Sequence, residues 1–339
     1  MIKNGTAGNN TLNGTDSADY ISGRGGDDVL NGLGGDDYLY GGEGKDDISD
    51  GLGLDHLYGQ AGDDEFFMTA GDADTVDGGD GLDIIHYHTP GGGPTVVDFL
   101  NNAVNSGAAL GDQLTSIEGF HGSSTTDIVY GDDALNLFYG SLGNDHYTGR
   151  GGQDLYFGFA TSDPDVHVDT FEIAFGSRAS ALATAAGIAA PPIGAAVAYY
   201  EIWNDANHNM IRDAGEVSKQ ADVLESVEYF VGTAGNDKMT GSAADETFSP
   251  LLGANTINGG TGYDTLSYNF LTGSIDGLGT GVTVDLAAGT ATADLESTLI
   301  SIEAVNGSAW DDQIMGNSGA NLLMGLDGND ALDGREGAD

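Results

Sequence analysis

Aspartate recurs at a nine-residue spacing between Gly41 and Phe67. Asp46, Asp55 and Asp64 each lie two residues after a glycine (Gly44, Gly53, Gly62) and two before a large apolar residue (Ile48, Leu57, Phe66). Repeated carboxylates in a glycine-rich setting are material for a hard-cation site, because Ca2+ takes carboxylate and main-chain carbonyl oxygens as ligands. The same frame returns in four blocks. In 1–86 the sixth positions are Asn10, Asp19, Asp28, Asp37, Asp46, Asp55, Asp64, Asp74 and Asp83, with one extra residue just before Asp74. In 122–157 they are Asp127, Asn136, Asp145 and Asp154; in 232–267, Asp237, Glu246, Asn255 and Asp264; in 307–339, Asp312, Asn321 and Asp330. All twenty eighth positions are apolar or aromatic, against 39% hydrophobic residues overall, so composition alone does not produce the register.

Nine residues make a six-residue turn and a three-residue strand. Glycine permits the positive-φ conformations of a tight turn, and alternation across the strand points the eighth position inward. Two such units close one coil of 18 residues, so an aspartate stacks on the one 18 residues away. Block one then has two columns: Asp19, Asp37, Asp55 and Asp74 on one side, Asp28, Asp46, Asp64 and Asp83 on the other. Coils rise by about 4.8 Å, and a divalent cation between neighbours relieves the repulsion of such a ladder. Calcium suits the spacing better than magnesium, which requires stricter octahedral geometry and keeps its waters. The expected fold is all-β: parallel β-roll blocks separated by small strand-rich inserts. A glycine-rich roll whose aspartates serve only the turns is the other reading.

The units GGEGKDDIS, DGLGLDHLY and GQAGDDEFF fit G-G-x-G-x-D-x-U-x. Through them the chain resembles the RTX ("repeats in toxin") proteins, whose nonapeptide binds calcium in a β-helical solenoid. The resemblance implies several Ca2+ ions at the sixth-position aspartates Asp19, Asp28, Asp37, Asp46, Asp55, Asp64, Asp74, Asp83, Asp127, Asp145, Asp154, Asp237, Asp264, Asp312 and Asp330. Asn10, Asn136, Asn255 and Asn321 carry less charge, and Glu246 departs from the motif. The resemblance also implies export as an unfolded chain by a type I system, using an uncleaved C-terminal signal. The sequence ends within a repeat at Asp339 without such a tail, which suits a piece of a longer chain.

Composition sharpens the expectation. There are 54 acidic against 9 basic side chains, a net charge of −45, 57 glycines and no cysteine. Such a chain is ordinarily disordered, unless its acids bind cations. Nucleic acid is an unsuitable partner, since phosphate binding needs clustered Lys and Arg. Absence of cysteine excludes disulfides and thiolate zinc sites. The N-terminus has no apolar signal-peptide core, and Ala179–Tyr200, rich in Ala and Gly with two prolines, is too weakly apolar to span a membrane.

The blocks are separated by inserts 87–121, 158–231 and 268–306. A longer repeat lies over the short one: LTSIEGFHG from Leu114 recurs as LISIEAVNG from Leu299. Ile117–Glu118, Val227–Glu228 and Ile302–Glu303 each lead into a block. Alternation predicts strands in Thr95–Leu100, Val282–Leu286, 166–175 and 196–203, with insert strands laid against block ends to cap their edges. Within 158–231, Asp205, Asn207, Asn209, Asp213 and Glu216 have EF-hand ligand spacing, with Met210 in place of the usual glycine. That is a second kind of candidate calcium loop; a solvated acidic turn is the alternative. Asp165, His167 and Asp169, and His86 with His88, are weaker candidates for catalysis or a transition metal, set against a polar strand face. No G-x-S-x-G, H-E-x-x-H or Walker loop occurs. The aromatic clusters, such as Tyr38 with Tyr40 and Phe138 with Tyr139, read as packing rather than sugar platforms.

The expected function is a secreted, non-enzymatic calcium-binding repeat protein of the cell exterior. It folds on meeting Ca2+ and has a structural, surface-layer, matrix or adhesive role. Its expected partners are calcium ions, further copies of itself, or a cell-surface or polysaccharide matrix. The alternatives are an accessory module of a larger exported toxin, protease, lipase or alginate epimerase, and a polysaccharide-active enzyme centred on 158–231.

Overall fold

A three-residue strand buries one side chain, so the roll gains stability only by stacking. The computed structural model describes residues 1–87, 95–140, 145–152, 154–157, 169–175, 197–204, 218–225, 227–232, 236–269 and 280–339. It divides into two units, Met1–Asp154 and Leu155–Asp339. Each is a β-solenoid of parallel rungs. Among the described residues the only helical pieces are two 3-10 turns, Asn102–Val104 and Gly107–Ala109. No helix among them is long and apolar enough to cross a membrane.

In the first unit, one sheet stacks Ile2–Asn4, Tyr20–Gly25, Tyr38–Glu43, His56–Ala61, Thr75–Asp80 and Gln113–Thr115 in parallel. The facing sheet stacks Thr11–Thr15, Val29–Leu33, Asp47–Ser49, Glu65–Phe67, Ile84–His86, Gly119–His121 and Leu137–Tyr139. Register is 18 residues per coil (Leu39 opposite Leu57), becoming 19 where the extra residue precedes Asp74 (Leu57 opposite Val76). The eighth positions Ile21, Leu30, Leu39, Ile48, Leu57, Phe66, Val76 and Ile85 are wholly buried, forming one apolar file per sheet. The first sheet ends at Gln113–Thr115 in the insert. Val96–Asp98 begins a new sheet with Ile128–Tyr130 and His146–Thr148, while the other sheet continues through Gly119–His121. The insert therefore caps one sheet and contributes a rung to the other. Tyr147 packs against Phe120 and Phe138 across the new coil.

In the second unit, Leu155–Phe157, Tyr229–Val231, Thr247–Ser249, Thr265–Ser267, Ala304–Asn306 and Leu322–Met324 stack in parallel. The second sheet contains two antiparallel meanders. One is Asp169–Phe175, Val197–Asn204 and Ser218–Glu225, joined in parallel to Asn236–Thr240. The other is Thr283–Asp285, Thr290–Thr292 and Glu296–Ile300, whose outer strands pair in parallel with Gln313–Met315 and Thr256–Asn258. The inserts of this unit thus extend the sheet rather than only covering its edge. A bidentate Arg clamps an insert aspartate in each unit: Arg150 on Asp98 and Arg335 on Asp285, each also donating to a roll carbonyl, Gly131 O or Gly316 O.

Candidate metal centre

Apart from the half-buried Asn10 and Asp330, the sixth-position side chains are buried: Asp37, Asp46, Asp64, Asp83, Asp127, Asp154, Asp237 and Asp264 are at 0% exposure. One oxygen of each ladder carboxylate reaches back one coil and accepts a main-chain N–H. Asp28, Asp46 and Asp64 donate to Asp46, Asp64 and Asp83 at 2.7–2.8 Å. In the other column Asp19, Asp37 and Asp55 donate to Asp37, Asp55 and Asp74 at 2.7–2.8 Å. The same bond joins Asp127 to Asp145, Asn136 to Asp154, Asp237 to Asn255, and Asp312 to Asp330.

The ladder also runs through the inserts, using residues outside the nonapeptide frame. Glu118 Oε2 accepts from Asp83 N at 2.9 Å, Asp112 Oδ1 from Asp74 N at 3.0 Å, and Glu303 Oε2 from Asp264 N at 3.0 Å. Ser297 Oγ takes the same place for Asn255 N. The signal for two of these was in the sequence, as the Ile-Glu pairs before the blocks. A second ladder, equally unforeseen, runs the opposite way at position five. Asp27, Asp36 and Asp63 each accept the N–H of the position-five residue one coil on (Lys45, Leu54, Leu82), at 3.0 Å. Each turn is thereby held to both neighbours.

The remaining oxygen decides whether a cation fits. Oδ2 of Asp28, Asp37, Asp46, Asp55, Asp64 and Asp83 is buried without a hydrogen-bond partner, an expensive arrangement for a charged group unless a cation faces it. The cradle is tight: a Cβ on Gly41 would collide with Asp46 Oδ2 and lie 2.9 Å from Gly59 O, the carbonyl one coil on. The nearest polar atoms of that cradle are oxygens, the preference of a hard ion. Among the described residues no three acidic or imidazole side chains converge on a point, so the donor set is carboxylate plus main-chain carbonyl. These residues fit calcium.

Protons compete for the same oxygens. Burial, reinforced by neighbouring carboxylates, pushes Asp46 and Asp83 up to about 6 and Asp64 and Asp74 up to about 7. Groups raised above their unfolded value stabilise the fold fully below that unfolded value, and lose the contribution as pH rises through the folded one. The window here is about pH 4 to 7. With calcium removed beforehand by dialysis, acidification from pH 7.5 to about 4.5 is therefore expected to increase β structure in far-UV circular dichroism. Loss of structure over that range would contradict the ladder.

The other sequence candidates fare differently. The EF-hand-like residues Asp205, Asn207, Asn209, Asp213 and Glu216 lie outside the described residues, as do His88, Asp165 and His167. His86 is described: its Nε2 lies 3.1 Å from Glu65 Oε2, while Glu65 Oε1 holds Lys45 Nζ at 2.5 Å, a chain of polar contacts on the outer sheet face. The aromatics divide. Phe138, Tyr147 and Tyr156 are core, whereas Tyr38 stacks on His56 and Tyr40 on Tyr58 on the outside of the first sheet.

The family model of the RTX calcium-binding nonapeptide repeat matches residues 4–39, 40–72, 121–156, 225–253, 251–267 and 306–339, together more than half of the chain. No curated protein matches it.

Proposed function

Since this chain belongs to the RTX calcium-binding nonapeptide-repeat family, we propose that it is an exported, non-enzymatic calcium-binding protein. It leaves the cell unfolded, folds on extracellular calcium, and then has a structural, surface-layer, matrix or adhesive role. The observation that carries this is the file of buried aspartates with an unpartnered oxygen. In a chain of net charge −45, such a file is tenable where calcium is abundant and untenable at cytosolic calcium. Calcium provides the countercharge; the chain's own residues supply acceptors, hold the coils in register and exclude water from the file. Export by a type I route suits a chain that does not fold before secretion. The rigid, acidic, repetitive surface suits display rather than turnover of a substrate.

The test is static light scattering, together with binding to a polysaccharide matrix, each with calcium and with EGTA. Calcium-dependent assembly or retention is the expected result. A calcium-folded protein that stays monomeric and is not retained refutes the structural role, and depolymerisation of an acidic polysaccharide by the wild type refutes the non-enzymatic reading.

A further inference from the structure

The turns of the roll fall into two kinds, distinguished by position two of the nonapeptide. In the turns ending at Asp28, Asp37, Asp46, Asp55, Asp64 and Asp83, position two is left-handed: Arg24, Leu33, Gly42, Gly51, Gln60 and Gly79 have φ between 75° and 129°. The Oδ2 atoms of these six turns lack a hydrogen-bond partner, as does that of Asp264, whose position two, Gly260, is also left-handed at φ 95°. In the other kind, position two is Ser, Thr, Asn or Asp, is not left-handed, and its N–H fills the place. Thr15 N donates to Asp19 Oδ2 at 2.6 Å, Ser123 N to Asp127 Oδ2 at 2.8 Å and Ser308 N to Asp312 Oδ2 at 2.7 Å. The hydroxyl of the same residue accepts the N–H of position four, from Ser17, Thr125 and Trp310 respectively. Such a turn satisfies its own donors and acceptors.

Left-handed backbone at Arg24, Leu33 and Gln60 is unfavourable, by roughly 1 kcal/mol or more per residue. A relaxed alternative exists in the same chain, at Thr15 and Ser123. The strain persists where it turns the position-two N–H away from the carboxylate and leaves an oxygen open. The distribution is ordered too. The first coil of block one (Asn10, Asp19), of block two (Asp127, Asn136) and of block four (Asp312, Asn321) is of the closed kind. Left-handed position two returns further along, at Arg150, Leu251, Gly260, Leu326 and Arg335; the Leu251 turn ends in Asn255, whose single side-chain oxygen already accepts Asp237 N.

We propose that position two decides which turns take calcium: left-handed turns that end in aspartate are loaded, turns closed by Ser, Thr, Asn or Asp stay metal-free, and these blocks open on a coil that needs no metal. The inference rests on the calcium reading above and restricts it. Asp19, Asp127 and Asp312 then serve as hydrogen-bond acceptors of the turn rather than ligands.

Native mass spectrometry at saturating calcium, on the full chain, counts the ions. Asp46→Asn and Asp64→Asn, which keep an acceptor for the ladder, are expected to lower the count by one or more each. Asp127→Asn and Asp312→Asn are expected to leave it unchanged. Leu33→Thr, which closes an open turn without touching a carboxylate, is expected to remove at least one ion while the calcium-saturated circular dichroism is retained. An unchanged count in Leu33→Thr, or a loss in Asp127→Asn equal to that in Asp46→Asn, overturns the proposal. If Asp46→Asn fails to fold, Leu33→Thr and Asp127→Asn still decide. A wild type with no bound calcium refutes the parent reading instead, so the two failures are distinct.

Discussion

Chelation at neutral pH is expected to leave the protein with the far-UV circular dichroism of an unfolded chain, and about 1 mM calcium is expected to restore the β spectrum cooperatively. If each site binds with a Kd on the order of 10⁻⁴ M, about 1 mM calcium stabilises the fold by roughly 1.4 kcal/mol per site. The six open turns of the first block together contribute about 8 kcal/mol, comparable to the net stability of a whole domain. Without the ion, the buried carboxylates either repel one another or take up protons, as their raised affinities for protons indicate. No disulfide compensates, since the chain has no cysteine. A fully formed β spectrum in excess EGTA at pH 7.5 would show that the ladder stands on hydrogen bonds alone.

Phe66→Ala is the second large effect, expected to cost about 3–5 kcal/mol in the calcium-loaded protein. Phe66 is wholly buried and lies in register between Ile48 and Ile85 on adjacent rungs. A rung has a single inward side chain, so its loss opens a cavity that neighbouring rungs, held by their own ladder bonds, cannot close. For a unit of this size the cost corresponds to a fall in Tm of roughly 6–20 °C. Leu54→Ala, in the same region but 54% exposed, is expected to stay within about 0.5 kcal/mol. Equal shifts for the two variants in thermal melts would refute a core organised one residue per rung.

What the sequence disclosed and what it hid follow from the range of each interaction. The inward file and the two columns depend on a period of nine within contiguous chain, so Ile48, Leu57 and Asp46 could be placed by counting. Glu118 could not. It answers Asp83 across 35 residues, and the length of the insert erases the register that counting relies on. The strand Ser218–Glu225 was missed because its sequence, SKQADVLE, lacks the β-branched alternation that marked Val197–Asn204. Position two was legible as a residue type, but its significance lay in a backbone sign, which Arg24, Leu33 and Gln60 do not announce.

The stacking direction has a mechanical consequence. In each unit the hydrogen bonds between rungs lie along the roll axis, and consecutive coils are joined by a chain that winds rather than runs straight through. Tension applied along that axis loads the bonds of a single interface end-on, so rungs yield in series and strength does not grow with the number of repeats. Each coil of 18 residues that lets go releases about 60 Å of contour. Adding repeats lengthens such a tether and increases the work it absorbs before its ends part, while the force at which it begins to give stays that of its weakest coil.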